Sequence, residues 1–285
     1  MYVVAGVSGN TGSVVARTLL ERGEKVRVVV RDAAKGAPWA ARGAEVAVAE
    51  LSDAAALERA FAGARGAYVL LPPMHASSSV LADEARVADA FIAAAKAAAL
   101  PHLVMLSSLG AHLASGTGMV VSCHDAEAKL AASGVPYTAV RAGSFYENTA
   151  GAIGAARGAG VYPTFARKDL AVPSVSSKDI GRVAALALLE GPRGIIELSG
   201  PRDLTATDLA QALGAALGKE LTVSEVPDAA IVGMMTGHGL SEDMATLFRD
   251  LYRGVNAGIV RFEGAPAHAV RGTVTIEDHF RAALA

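Results

Sequence analysis

The chain has 285 residues, of which 52% are hydrophobic and only 5% aromatic, and its 26 Lys and Arg against 28 Asp and Glu leave a formal net charge of −2. That length can bury the core of one large α/β domain with an appended lobe, and the lack of a dense Lys/Arg run argues against nucleic acid or an anionic membrane surface as a partner. The single Cys123 excludes an internal disulfide and any cysteine-cluster metal site; no apolar run reaches transmembrane length, and Met1 leads directly into the first predicted strand, so the expectation is a soluble cytoplasmic protein without a signal peptide.

Tyr2 to Ala5 reads as a buried strand that runs straight into Gly6, Gly9 and Gly12 at three-residue spacing. From Ser13 to Arg22 the apolar positions fall on one helical face, Gly23 stops the helix, and Lys25 to Val30 is a second apolar strand. A glycine turn between strand and helix lets a pyrophosphate approach the backbone and rest on the helix N-terminus. Ser8, Asn10 and Thr11 add side-chain hydrogen-bonding groups beside it. The competing reading is a tight turn with no ligand. The residue ending the second strand selects the dinucleotide, because an acid binds the ribose 2′-hydroxyl of NAD whereas an arginine takes the 2′-phosphate of NADP. Here it is Arg31, with Asp32 next leaving room for NAD and Lys35 adding charge near the same phosphate. A solvated surface charge is the other reading of Arg31.

Strand followed by helix then repeats. Glu45 to Ala49 is a short strand, Leu51-Ser52-Asp53 leads into a helix of about Ala54 to Phe61, and Ala67 to Leu71 is a strand ending at Pro72-Pro73. Ser78 to Ala99 has helical spacing and is stopped by Pro101; His102 to Leu106 is the next strand and delivers Ser107, Ser108 and Leu109 at its carboxyl end. This alternation implies a doubly wound parallel sheet. Ligands bind outside the carboxyl ends of such strands, so Gly6 to Gly12, Leu71 to Met74 and Ser107 to Leu109 are expected to line one crevice.

A helix of about Ser122 to Ala132 and a strand from Tyr137 to Val140 lead to Arg141-Ala142-Gly143-Ser144-Phe145, after which Gly151, Gly154, Gly158 and Gly160 mark crossing segments around a substrate cavity. Val172 to Val175 is expected to return to the sheet, Ser177 to Glu190 to form an amphipathic helix and Ile195 to Leu198 a strand. A capped helix from Thr205 to Leu217, a strand from Leu221 to Val226 and a helix from Ser241 to Val255 give a small C-terminal α/β lobe. The expected division is a Rossmann domain over residues 1–150, with a return of the chain at about 171–200, and a smaller substrate-side lobe from 151–170 and 201–285.

The chain resembles the NmrA-like atypical short-chain dehydrogenase/reductases. The matching stretches are GVSGNTG at Gly6 to Gly12, VRVVVR ending at Arg31, Glu50-Leu51-Ser52-Asp53, LLPP at Leu70 to Pro73, SSLGA at Ser107 to Ala111, HDAEAKL at His124 to Leu130, GVPYTAVRAGSFYEN at Gly134 to Asn148 and SKDIGRVAALAL at Ser177 to Leu188. In character it is similar to the NADPH-dependent quinone oxidoreductases of that family, whose other well-known members are non-catalytic NADP-sensing regulators. The resemblance implies that Gly6, Ser8, Gly9, Asn10, Thr11, Gly12 and Arg31 hold the phosphates of NADP(H), with NAD(H) as a possible substitute. It implies that Glu50 and Leu51 flank the adenine, and that Leu70, Leu71, Pro72, Ser107, Gly143, Ser144 and Phe145 run along ribose and nicotinamide. Met74, His75, Leu109, Tyr146 and Asn148 would then face the substrate.

One departure from the family pattern bears on chemistry. Standard relatives carry a Tyr-x-x-x-Lys pair with a glutamate four residues after the lysine; taking Glu127 as that glutamate, the two positions hold Met119 and Cys123. Neither can protonate an alkoxide or lower a tyrosine pKa, so ketone reduction by that route, or sugar-nucleotide epimerisation, is disfavoured. A hydroquinone anion is far less basic, and positioning alone can then suffice. His75 and His124 are candidate proton donors, against a loop histidine facing solvent and a helix-start residue without chemistry. Tyr146 is a candidate to stack on a quinone ring, against plain packing. Cys123 reads as a redox-active thiol at a helix start or as a small buried hydrophobe, and Met234, Met235 and Met244 as a packed or lid surface. His238, His268 and His279 lack metal-ligand spacing, so no metal is expected. The sequence thus predicts hydride transfer from NADPH to a quinone-like small aromatic acceptor by a monomer or homodimer. The alternative is a sensor that binds NADP(H) and a protein partner without turnover.

Overall fold

The apolar runs of the sequence become the strands of one parallel sheet. A computed structural model describes residues 1–265 and 267–285. Its first half runs β1 (Tyr2–Ala5), α1 (Asn10–Glu21), β2 (Val26–Val30), α2 (Ala33–Ala40), β3 (Glu45–Val48), α3 (Ala54–Phe61), β4 (Gly66–Val69), α4 (Val80–Ala97), β5 (Leu103–Ser108), α5 (Val121–Ser133) and β6 (Tyr137–Ala142). Then come β7 (Ser144–Phe145), α6 (Ile153–Ala159), β8 (Val161–Thr164), β9 (Ser174–Val175), α7 (Ser177–Glu190), β10 (Gly194–Ser199), α8 (Ala206–Leu217), β11 (Thr222–Glu225), α9 (Asp228–Gly237), α10 (Glu242–Asn256), β12 (His268–Arg271) and α11 (Ile276–Leu284).

Eight strands pair in the order β12, β10, β6, β5, β4, β1, β2, β3, each neighbour parallel to the next. The chain starts in the middle and winds outward in both directions, so the strand order reverses between β1 and β4. Val3 and Ala5 join the core under α3, α4 and α5, while Tyr2 and Val4 join the core under α1 and α7, as the two-residue period of a strand requires. Both faces are covered, which is why the central strands read as unbroken apolar runs rather than alternating ones. A third core, with Tyr146, Tyr162, Leu204, Leu213 and Phe280, holds α8 and α11 together beside the sheet.

Five segments differ from the sequence reading. Ala33–Ala40 is a helix although it contains Gly36 and Pro38; Asp32 caps it by accepting from the Ala34 N–H at 2.9 Å, and Trp39 seats it on the sheet. Val172 to Val175 does not rejoin the main sheet: Val172 bridges antiparallel to Leu204, and β9 pairs with β7 in a separate ladder. The chain leaves the sheet at Gly143, where a Cβ would lie 2.5 Å from the Pro173 carbonyl oxygen, so a bare Cα is what lets the two crossing segments meet. His268–Arg271, inside the span expected to belong to the lobe, returns to the main sheet beside β10. It is a short edge strand with mostly exposed side chains, so it has no apolar signature. The helices α9 and α11 were likewise not foreseen, whereas Thr205 caps α8 in a reciprocal capping box with Asp208.

Candidate functional site

The carboxyl ends of β1, β4, β5 and β6 lie side by side in the sheet; the glycine turn, the 70–79 loop and Gly143–Phe145 follow β1, β4 and β6, and Ser107–Leu109 closes the end of β5. Gly6 has φ +69°, the left-handed region that favours glycine, and its N-terminal neighbours are locked in the core. A Cβ on Gly12 would sit 2.5 Å from the Gly6 carbonyl oxygen and 2.6 Å from that of Ala5, so the helix can press on the strand end only with glycine there. The first-turn N–H groups of α1 have no intrahelical acceptor, and Gly9 at its N-cap supplies no side-chain cap. Ser8, Gly9 and Asn10 are exposed beside these donors. Backbone donors, the positive end of a helix dipole and a side-chain-free approach together fit a pyrophosphate. Thr11 is the exception among the expected side chains: it is buried, and its hydroxyl oxygen accepts from the Tyr68 phenol at 2.8 Å.

At the end of β2, Arg31 is exposed and forms no hydrogen bond or ion pair among the described residues. Asp32 is engaged in capping α2, whose first turn also carries the exposed Lys35. Two free cations at a helix N-terminus favour a phosphate over a bare ribose hydroxyl. After β3, Glu50 is exposed and Leu51 half-buried; Leu51, Leu70, Leu71 and Met74 all pack at the rim of the core under α3 and α4. Leu70, Leu71, Pro72 and Met74 are thus half-buried shoulders at the crevice.

Beneath β5 and β6 lies a charged network that the sequence reading missed. Ser107 is buried, and its hydroxyl donates to Glu127 Oε1 at 2.5 Å. Arg141 donates from Nε and Nη2 to the same carboxylate at 2.6–3.1 Å and from Nη1 to Glu263 at 2.5 Å, with Glu197 at 3.8 Å. Glu197 accepts in turn from the Glu263 and Gly264 N–H groups. Desolvation alone would lower the Arg141 pKa, but its hydrogen bonds to Glu127 and Glu263 outweigh it and hold the value above the ordinary one. Ser107, expected along the ribose, therefore has its hydroxyl committed to Glu127. The available signal was an arginine inside an apolar strand, which needs a carboxylate partner.

The expected acid and substrate residues divide sharply. His75 is exposed and its ring has no hydrogen bond among the described residues. His124 is half-buried with Nδ1 3.0 Å from the Ala111 carbonyl oxygen; a carbonyl only accepts, so Nδ1 carries a hydrogen and Nε2 is the ring nitrogen left for any other partner. Tyr146 is 2% exposed in the third core, edge-on to His279, and burial pushes its phenol up to about 12. It is packing, not a stacking platform. Leu109 is buried against Val255 and Val260, which bring α10 over the end of β5, and Asn148 is exposed on a 3₁₀ turn. Beside that cluster Phe165, Phe248 and Tyr252 stand with ring centroids 4.9–5.2 Å apart, each half-buried, an aromatic wall unforeseen from the sequence. Burial pushes the Cys123 thiol up to about 12, so it is a neutral thiol rather than a reactive thiolate. Burial also pushes the neighbouring Glu84 carboxyl up to about 7, with the Ser122 hydroxyl acting the other way.

The parallel sheet, its reversal point and the uncapped glycine turn define a dinucleotide-binding protein. Residues 6–190 match the family described as NAD(P)H-binding, and the chain belongs to it. Among characterised relatives, quinone oxidoreductase 2 of Escherichia coli (strain K12) is 30% identical over 262 residues, 90% of this chain and 89% of that one. The NAD(P)H azoreductase of Xenophilus azovorans is 29% identical over 256 residues, 88% of this chain and 86% of its own. The crystal structure of the Escherichia coli NADPH-dependent quinone oxidoreductase complexed with NADPH superimposes with a TM-score of 0.85 at 27% identity, over 100% of both chains. The resemblance drawn from the sequence and the doubly wound fold are both borne out. No helix among the described residues is long and apolar enough to cross a membrane.

Proposed function

We propose that the chain is an NADPH-dependent oxidoreductase whose acceptor is a quinone or a similar electron-poor aromatic compound. The carrying observation is a side-chain-free phosphate cradle at the start of α1 and two exposed cations, Arg31 and Lys35, after β2, in a chain that carries Met119 and Cys123 where a phenol and an ammonium would be needed for ketone reduction. NADPH, when bound, supplies the hydride. The backbone N–H groups of Asn10, Thr11 and Gly12 hold the pyrophosphate, and Arg31 with Lys35 takes the 2′-phosphate. Leu70, Leu71 and Pro72 exclude water from one side, while α10 with Phe248 and Tyr252 excludes it from the other. With no phenol or ammonium at residues 119 and 123, a strongly basic alkoxide has no donor, whereas a hydroquinone anion takes its proton from solvent. Acceptor choice then follows from the basicity of the product. The relatives named for quinone and azo reduction support that acceptor class.

The test is steady-state oxidation of NADPH and of NADH by the purified protein with a panel of quinones, one azo dye and simple ketones. Saturable turnover with quinones or the azo dye, none with ketones, and a preference for NADPH are the expected results. Tight NADP(H) binding without turnover on any acceptor would overturn the reading and leave a cofactor sensor in its place.

A further inference from the structure

The loop joining β4 to α4 carries the cofactor-side residues Leu71 and Pro72 and ends where α4 begins. Two hydrogen bonds tie its far end to the opposite half of the molecule. The Ser241 N–H donates to the His75 carbonyl oxygen at 2.7 Å. The Val80 N–H, at the start of α4, donates to Asp243 Oδ2 at 2.8 Å, across 163 positions of sequence. Helix α4 has Ser79 at its N-cap, but that side chain makes no capping bond. Helix α10 is capped by its own Ser241, which accepts from the Met244 N–H at 3.1 Å. Asp243 is therefore free to cap a helix other than its own, and its charge faces the positive ends of both. The seam around it is open, with a cavity of about 400 Å³ lined by Ser78, Ser241, Glu242, Asp243 and Thr246. Val80 on one side and Met244 and Ala245 on the other are buried, and the two polar bonds set the register of that contact.

We propose that Asp243 is a positioning residue: by capping α4 from α10 it holds the 70–79 loop, and so the cofactor wall at Leu71 and Pro72, at a fixed spacing from the aromatic wall on α10. The inference rests on the reading of the crevice as an NADPH site. Helix α10 carries both halves of the device, Asp243 in its first turn and Phe248 and Tyr252 further along. A loop that detaches leaves only a fraction of molecules competent, and apparent affinity falls by that fraction. Loss of one capping bond shifts such a balance by roughly fivefold.

Asp243→Ala is expected to raise the NADPH dissociation constant, read by direct fluorescence titration, and the acceptor KM by about fivefold each, with a smaller change in kcat. It should also expose the 74–79 segment to limited proteolysis. Asp243→Asn keeps an oxygen for the Val80 N–H and should restore most of the wild-type behaviour. Combining Asp243→Ala with Ser79→Asp gives α4 a cap of its own without the tie to α10, so thermal stability should recover while the raised constants and the cleavage persist. Recovery of binding together with stability in that pair, or unchanged titration and cleavage in Asp243→Ala alone, would overturn the proposal. Titration and proteolysis need no acceptor, so an inactive wild-type protein would count against the oxidoreductase reading and leave this one to be decided by them.

Discussion

Glu127 and Arg141 provide a sharp energetic test of what holds the floor of the crevice. Their side chains are 8% and 6% exposed and joined through two guanidinium nitrogens. Removing one partner of such a pair strands the other charge, at about 3–5 kcal/mol. In Glu127→Gln the guanidinium still faces Glu263 at 2.5 Å and Glu197 at 3.8 Å, and Glu263 is 41% exposed and so well hydrated. That places the loss near the lower end, about 3 kcal/mol. In Arg141→Met both Glu127 and Glu197 lose their cation, which places the loss nearer about 4 kcal/mol. Two losses through one contact are not additive, and the double variant should fall short of their sum by about 2 kcal/mol. Urea unfolding midpoints with unchanged slopes read all four proteins. Single losses below about 1 kcal/mol that simply add would refute the claim that this pair organises the floor under Ser107.

Arg31→Ala should weaken NADPH about tenfold or more and leave NADH nearly untouched, since a charge-assisted bond to a phosphate is worth about 1.5–3 kcal/mol; equal losses in titrations of the two would remove its assigned role. His102 is 3% exposed with Nε2 2.9 Å from the Thr138 hydroxyl, and burial pulls its pKa from 6.5 down to about 4. The folded state thus binds fewer protons than the unfolded one between those values, so stability present above pH 6.5 should decline by up to about 3 kcal/mol as pH falls toward 4. His102→Gln should flatten that decline between pH 6.5 and 5, and an unaltered slope in denaturation curves would sink the assignment.

The parts of the molecule legible in the sequence are those where local chemistry and global position agree. The turn at Gly6, Gly9 and Gly12 needs its glycines for backbone reasons that hold in any context, and α7 was readable to the residue because Ser176 caps it and Gly191 ends it. What was not legible depends on partners far along the chain. Asp32 reads equally well as a ribose ligand or a helix cap, and only the fold of 33–40 decides for the cap. Tyr146 follows Phe145 at the end of the crevice strands, yet the chain turns there and Gly200 leaves room for its hydroxyl in the lobe. Phe165 is more than eighty residues from Phe248 and Tyr252 and meets them only when the chain just after β8 reaches α10.

The same dependence on distant partners shapes the turn at Gly118. Gly118 has φ +56°, and a Cβ there would strike the Leu247 carbonyl oxygen and the Leu251 N–H of α10. The turn ahead of α5 is therefore pressed directly on the backbone of α10, which also carries the aromatic wall and Asp243. Met119, the next residue of that turn, is half-buried, and Cys123 lies near the carboxyls of Glu84 and Glu127. Under the proposed reading, the site exchanges a proton-donating pair for a helix packed close over the end of β5. An acceptor whose reduced form needs no strong acid gains from the added enclosure and loses nothing by the missing phenol. A ketone loses the donor that its alkoxide requires.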